Sequence, residues 1–120
     1  MHWDGLVAFM HTRDLEATHR FYHEVLDLPL FKDQGACRIY RVGSDSYLGF
    51  CTHFPVADPG GIILTLLTDD VDGAYERLCS EPGVQVEEPP TLNERFSIYH
   101  FFVQDPDGYK VEIQKFLDDK

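Results

Sequence analysis

Leu6-Val7-Ala8-Phe9-Met10-His11-Thr12-Arg13-Asp14-Leu15 opens a unit that the chain repeats as Ile62-Ile63-Leu64-Thr65-Leu66-Leu67-Thr68-Asp69-Asp70-Val71. Residues 6–23 match residues 62–79 in polarity at a shift of 56 positions. In each copy a short apolar run reads as a strand covered on both sides, and an Asp then offers its carboxylate as a helix N-cap. Leu15, Thr18, Tyr22, Val25 and Leu26 follow Asp14 at helical spacing; Val71, Ala74, Tyr75 and Leu78 follow Asp70 in the same way. A unit that cannot bury its own apolar face packs against its twin, and the cleft so formed is the candidate binding site.

Working outward, Leu28-Pro29 ends the first helix and a middle strand is expected near Leu30-Phe31-Lys32. Cys37–Val42, the turn Gly43–Ser46 and Tyr47–Cys51 read as strand, turn and strand. Pro55 to Gly61 is rich in residues that break regular structure. Beyond the second helix, Val84–Val86 is a short strand and Glu88 to Glu94 a loop. Phe96–Gln104 and Tyr109–Phe116 form a hairpin around Asp105-Pro106-Asp107-Gly108, where Pro presets φ and Gly supplies a positive φ. The expected fold is therefore α+β, a single domain over residues 1–120. Two βαβββ modules, 5–54 and 61–116 with a linker at 55–60, form a curved mixed sheet around a cleft, helices outside.

Size and composition bound the function. With 120 residues and 43% apolar content, the chain can bury a core without a disulfide or structural metal. No run approaches the roughly 18 apolar residues of a membrane span, and Met1-His2-Trp3-Asp4 lacks the basic start of a signal peptide. A net charge of −11 argues against nucleic acid or an anionic membrane as partner, because phosphate binding needs clustered Lys and Arg. Cys37, Cys51 and Cys79 are odd in number and form no CxxC pair, which reads as reduced thiols in a cytoplasmic protein.

The helix Asp14-Leu15-Glu16-Ala17-Thr18-His19-Arg20-Phe21-Tyr22-His23-Glu24-Val25-Leu26-Asp27-Leu28 resembles the first-helix signature of the vicinal oxygen chelate superfamily. This is the glyoxalase, bleomycin-resistance and ring-cleaving dioxygenase group. Asp70-Val71-Asp72-Gly73-Ala74-Tyr75-Glu76-Arg77-Leu78 resembles the helix of its second module, and Asp105 to Ile113 its last hairpin. The resemblance spans roughly residues 5–116. It implies paired βαβββ modules, a homodimer and, in the metalloenzymes, a divalent ion held by His, Glu or Gln from the first and last strands of each module. Those positions fall here on Val7, Gly49, Ile63 and Glu112. Only Glu112 can ligate a metal, and one carboxylate does not hold a transition ion against water. No metal or other cofactor is therefore expected, a divalent metal being the alternative.

Glu112 alternates with Val111 and Ile113, so it is expected on the cavity face with Lys110 and Gln114. Two readings stand side by side: a catalytic base or ligand anchor, and an inherited carboxylate paired with Arg38 or Arg41. Counting from the turn, Gln104 opposes Tyr109 and Phe101 opposes Glu112, which puts Tyr99 and Phe101 in the cavity. Phe9, Tyr47 and Phe50 would add to an aromatic lining, and His11, Cys51 and Thr65 complete the expected ligand-binding set. His11, His53 and His100 are each read as a surface or hydrogen-bonded core residue. The functional expectation is a metal-independent binder of a small organic molecule. A metal-dependent lyase, isomerase or dioxygenase, and a regulatory module with a vestigial cavity, are the competing readings.

Overall fold

In a computed structural model the described residues are 1–118, and they form two compact units, one of residues 1–58 and one beginning at Pro59. The first unit runs β1 (Leu6–His11), α1 (Leu15–His19), a π-helical continuation over Arg20–Val25, β2 (Leu30–Asp33), β3 (Cys37–Val42) and β4 (Ser46–Cys51). Its sheet has the order β1-β4-β3-β2, with β1 parallel to β4 and the other pairs antiparallel. The second unit contains a 3-10 turn (Pro59–Gly61), β5 (Ile63–Leu67), α2 (Val71–Ser80), β6 (Gln85–Val86), β7 (Thr91–Asn93), β8 (Ile98–Gln104) and β9 (Lys110–Phe116). Its sheet repeats the arrangement as β5-β9-β8-β6, with β5 parallel to β9 and β7 added on β8. The α+β architecture of two mixed sheets follows the sequence reading.

Both helix starts are fixed as the sequence implies. The Asp14 carboxylate accepts from the amides of Glu16 (3.0 Å) and Ala17 (3.2 Å), and that of Asp70 accepts from Gly73 (2.9 Å). Past α1 the helix widens: the Leu26 amide donates to the Phe21 carbonyl at 2.9 Å, an i to i+5 bond. The chain then turns through Asp27 at φ 60°, a left-handed conformation that Asp tolerates better than most side chains. Tyr22 stacks on Phe50 at 4.4 Å, so Phe50 faces the helix and belongs to the core, not to an aromatic lining.

Three departures from the sequence reading matter for the site. The segment assigned to a loop, Glu88 to Glu94, contains β7, paired with β8 through Thr91↔His100 and Asn93↔Ile98. The β8–β9 turn holds five residues, not four. The Asp105 carboxylate accepts from Asp107 N and Tyr109 N, both at 2.9 Å, and keeps Tyr109 inside the turn. Gln104 therefore pairs with Lys110 and Phe102 with Glu112. Finally, Cys37 and Cys51 are cross-strand partners with Cα atoms 4.1 Å apart and are joined in a disulfide, where reduced thiols were expected. Cys79 is a free, exposed thiol. Among the described residues no helix is long and apolar enough to cross a membrane.

Candidate functional site

A register shift of one residue moves every side chain of a strand to the other face. Tyr99 and Phe101, expected in the cavity, consequently point toward α2. The Tyr99 hydroxyl donates to Asp72 Oδ1 at 2.6 Å, a bond that raises its pKa, and Phe101 meets Tyr75 edge-on at 5.4 Å. Phe101 is only 3% exposed and is core. His100 and Phe102 take their place on the face away from α2, beside Glu112.

Glu112 is 8% exposed, yet both carboxylate oxygens are engaged. Thr65 Oγ1, from the paired position on β5, donates to Oε1 at 2.8 Å. His100 Nδ1 lies 2.6 Å from Oε2. A carboxylate only accepts, so the contact fixes the proton on Nδ1 and leaves Nε2 as the ring's remaining polar atom. Within the first unit Arg38 binds Glu16 at 2.7 Å, and this bond holds the Glu16 carboxyl below the usual carboxylate range. Beside His100 a cleft of about 330 Å³ is lined by Glu87, Glu88, Pro89, Thr91, His100, Phe101 and Phe102. The Lys110 ammonium sits 5.7 Å from the Phe102 ring centroid.

The first unit gathers a different set on the sheet face away from α1. The Phe9 ring covers Gly49, where an added Cβ would come within 2.5 Å of two ring carbons; only glycine allows this approach. Tyr47 packs against Phe31 at 4.7 Å, and the Arg41 guanidinium lies 5.2 Å from the Phe31 ring and 5.7 Å from that of Tyr47. His11 contacts Phe54 at 5.1 Å and His53 at 6.2 Å. Cys51 is buried and bound to Cys37, which removes it from the expected set of ligand-binding residues.

The four positions that the resemblance assigns to a metal do not supply a ligand set. Val7 pairs with Tyr47 and Ile63 with Lys110, each two residues along its strand from the neighbour of Gly49 or Glu112. The direct neighbours are Phe9 and Thr65. Valine, isoleucine and glycine side chains offer no lone pair, and both oxygens of Glu112 already accept hydrogen bonds.

A model of the Glyoxalase/Bleomycin resistance protein/Dioxygenase superfamily matches residues 6–113, and the chain belongs to that superfamily. Its fold is similar to a glyoxalase/bleomycin resistance protein/dioxygenase from Nocardioides, with a TM-score of 0.76 and 21% identity over 100% of this chain and 87% of that one. A lactoylglutathione lyase from Agrobacterium tumefaciens gives a TM-score of 0.73 and 21% identity, covering 92% of this chain and 91% of that one. A glyoxalase-related enzyme from Fulvimarina pelagi gives 0.74 and 24%, covering 91% and 85%. No curated protein matches the chain. At these identities the neighbours speak for the fold alone.

Proposed function

We propose that the chain binds a small organic molecule against the second sheet, anchored at the Glu112–His100–Thr65 cluster and without a metal. The observation that carries this is a buried carboxylate that accepts from Thr65 with one oxygen and orients His100 with the other, beside a cleft of about 330 Å³. Burying a carboxylate is costly, and a fold keeps it where it has partners or a task. Here it sets the tautomer of His100, so that Nε2 can accept a hydrogen bond or a proton from a hydroxyl or ammonium group. Glu87 and Glu88 on the cleft wall favour an amine- or hydroxyl-bearing ligand, and Phe102 supplies an apolar surface. In this reading Phe9, Tyr47 and Phe31 offer a second aromatic surface in the first unit, and the protein acts in the cytoplasm as a homodimer. A metal-dependent reaction is less well supported, because Val7, Gly49 and Ile63 bring no donor.

The test is a melting-temperature screen of chelator-treated protein against amines, amino alcohols and hydroxyacids. The reading requires at least one compound that stabilises the wild type and fails to stabilise His100→Ala. Stabilisation that appears only when a divalent ion is restored would favour the metal-dependent alternative.

A further inference from the structure

At the end of the β3–β4 hairpin lies a second cluster, unrelated to the Glu112 site. Cys37 and Cys51 face each other across the strands, and His53 Nδ1 stands 3.9 Å from Cys37 Sγ. The three donor atoms all lie within 4.8 Å of one another. His11, the β1 partner of Cys51, meets the His53 ring edge-on at 6.2 Å, and Phe54 packs on His53 at 4.6 Å. A cleft of about 370 Å³ lined by Thr12, Arg13, Thr52, His53, Phe54, Pro55 and Val56 opens beside it.

We propose that Cys37, Cys51 and His53 form a zinc site gated by the oxidation state of the two sulfurs. Two thiolates and an imidazole are the donor set that borderline-soft Zn²⁺ prefers, and three protein donors leave one position for water. At the usual zinc bond lengths, tetrahedral donors sit roughly 3.3 to 3.8 Å apart. The histidine nitrogen therefore needs to approach by about an ångström, which rotation of the exposed His53 side chain can supply. The two sulfurs, bonded to each other here, need to part to that spacing once reduced, by rotation about their Cα–Cβ bonds. In the dithiol state both sulfurs are available to the ion. In the disulfide state neither carries a negative charge, and the site loses its two strongest donors.

The switch balances with a low-molecular-weight disulfide as the oxidant. The two thiolates surrender two electrons and form the Cys37–Cys51 bond. The S–S bond of the oxidant breaks, its two thiolates take up two protons, and Zn²⁺ leaves.

Cobalt reports on such a site, because thiolate ligation produces charge-transfer absorption in the near ultraviolet. Phosphine-reduced, metal-free protein is titrated with Co²⁺ without oxygen. One Co²⁺ per chain is expected to give the band, and oxidised glutathione, added once excess phosphine has been removed, should discharge it. Cys79→Ser should leave it intact, while Cys37→Ser or Cys51→Ser should abolish it. His53→Ala retains both thiols and the hairpin, so it tests the site without touching the cross-link. Its Co²⁺ affinity should fall by more than the 10–100-fold typical of losing an outer-shell partner, that is by about a hundredfold or more. Absence of the band in reduced wild type, its survival in Cys51→Ser, or unchanged affinity in His53→Ala would overturn the proposal.

Discussion

Replacing Glu112 with alanine removes the shared acceptor of Thr65 and His100 from a site that is about nine-tenths buried. Each hydrogen bond to an ionised group contributes about 1.5–3 kcal/mol, and breaking a buried pair by removing one partner costs about 3–5 kcal/mol. Two effects reduce the loss. The Thr65 hydroxyl can rotate toward solvent, since its residue is exposed, and the variant no longer desolvates a carboxylate. The net expectation is about 2–4 kcal/mol, equivalent to a fall of roughly 8–16 °C in melting temperature for a chain of this size. Urea unfolding followed by far-ultraviolet circular dichroism measures it, and a cycle with His100→Ala should return a coupling of about 1–2 kcal/mol. A change within about 0.5 kcal/mol, the range of a neutral surface substitution, would refute the claim that Glu112 is a buried hydrogen-bonded anchor.

Phe101→Ala should cost about 3–5 kcal/mol by opening a cavity under Tyr75; a loss below about 1 kcal/mol in urea unfolding would contradict its place in the core. Gly49→Ala should stay within about 1 kcal/mol of the wild type in urea unfolding, because Phe9 is 54% exposed and its ring can swing away. Burial, helped by neighbouring His23 and Arg38, lowers the His19 pKa from 6.5, so the unfolded chain binds this proton more tightly. Stability should therefore decline as pH falls below 6.5 toward the folded-state value, and His19→Gln should flatten a stability–pH series over that window. The Glu16 contribution is separable: its lowered pKa gives stability that is present above 4.5 and lost as pH falls through the folded value.

The strand–helix halves were legible because hydrophobic runs and capping aspartates are local signals. Asp14 and Asp70 start their helices where the repeat places them. The repeat gave no guidance on the second half of each unit, since β7 and its flanking turns occupy residues with no counterpart between β2 and β3. The site itself depended on one residue of turn length. Reading Tyr109 as a strand residue puts Phe101 opposite Glu112 and hides His100; the Asp105 side-chain bonds to Asp107 and Tyr109, with the Asp105 amide donating to the Tyr109 carbonyl, decide otherwise. The Cys37–Cys51 pairing also turned on one residue. A turn over Gly43–Ser46 sets Val42 opposite Tyr47 and Cys37 opposite Thr52, whereas the shorter Gly43–Asp45 turn pairs Val42 with Ser46 and Cys37 with Cys51. Thr65 lines up with Glu112 through a parallel register, which no local signal encodes.

Calorimetric titration of a screening hit into chelator-treated wild type and Glu112→Gln puts the binding account to its most direct trial. The account predicts undiminished affinity without metal in the wild type, and a loss of tenfold or more when the anchor can no longer hold His100 as a carboxylate does. Equal affinity in the two proteins, or heat released only after a divalent ion is added back, would contradict it.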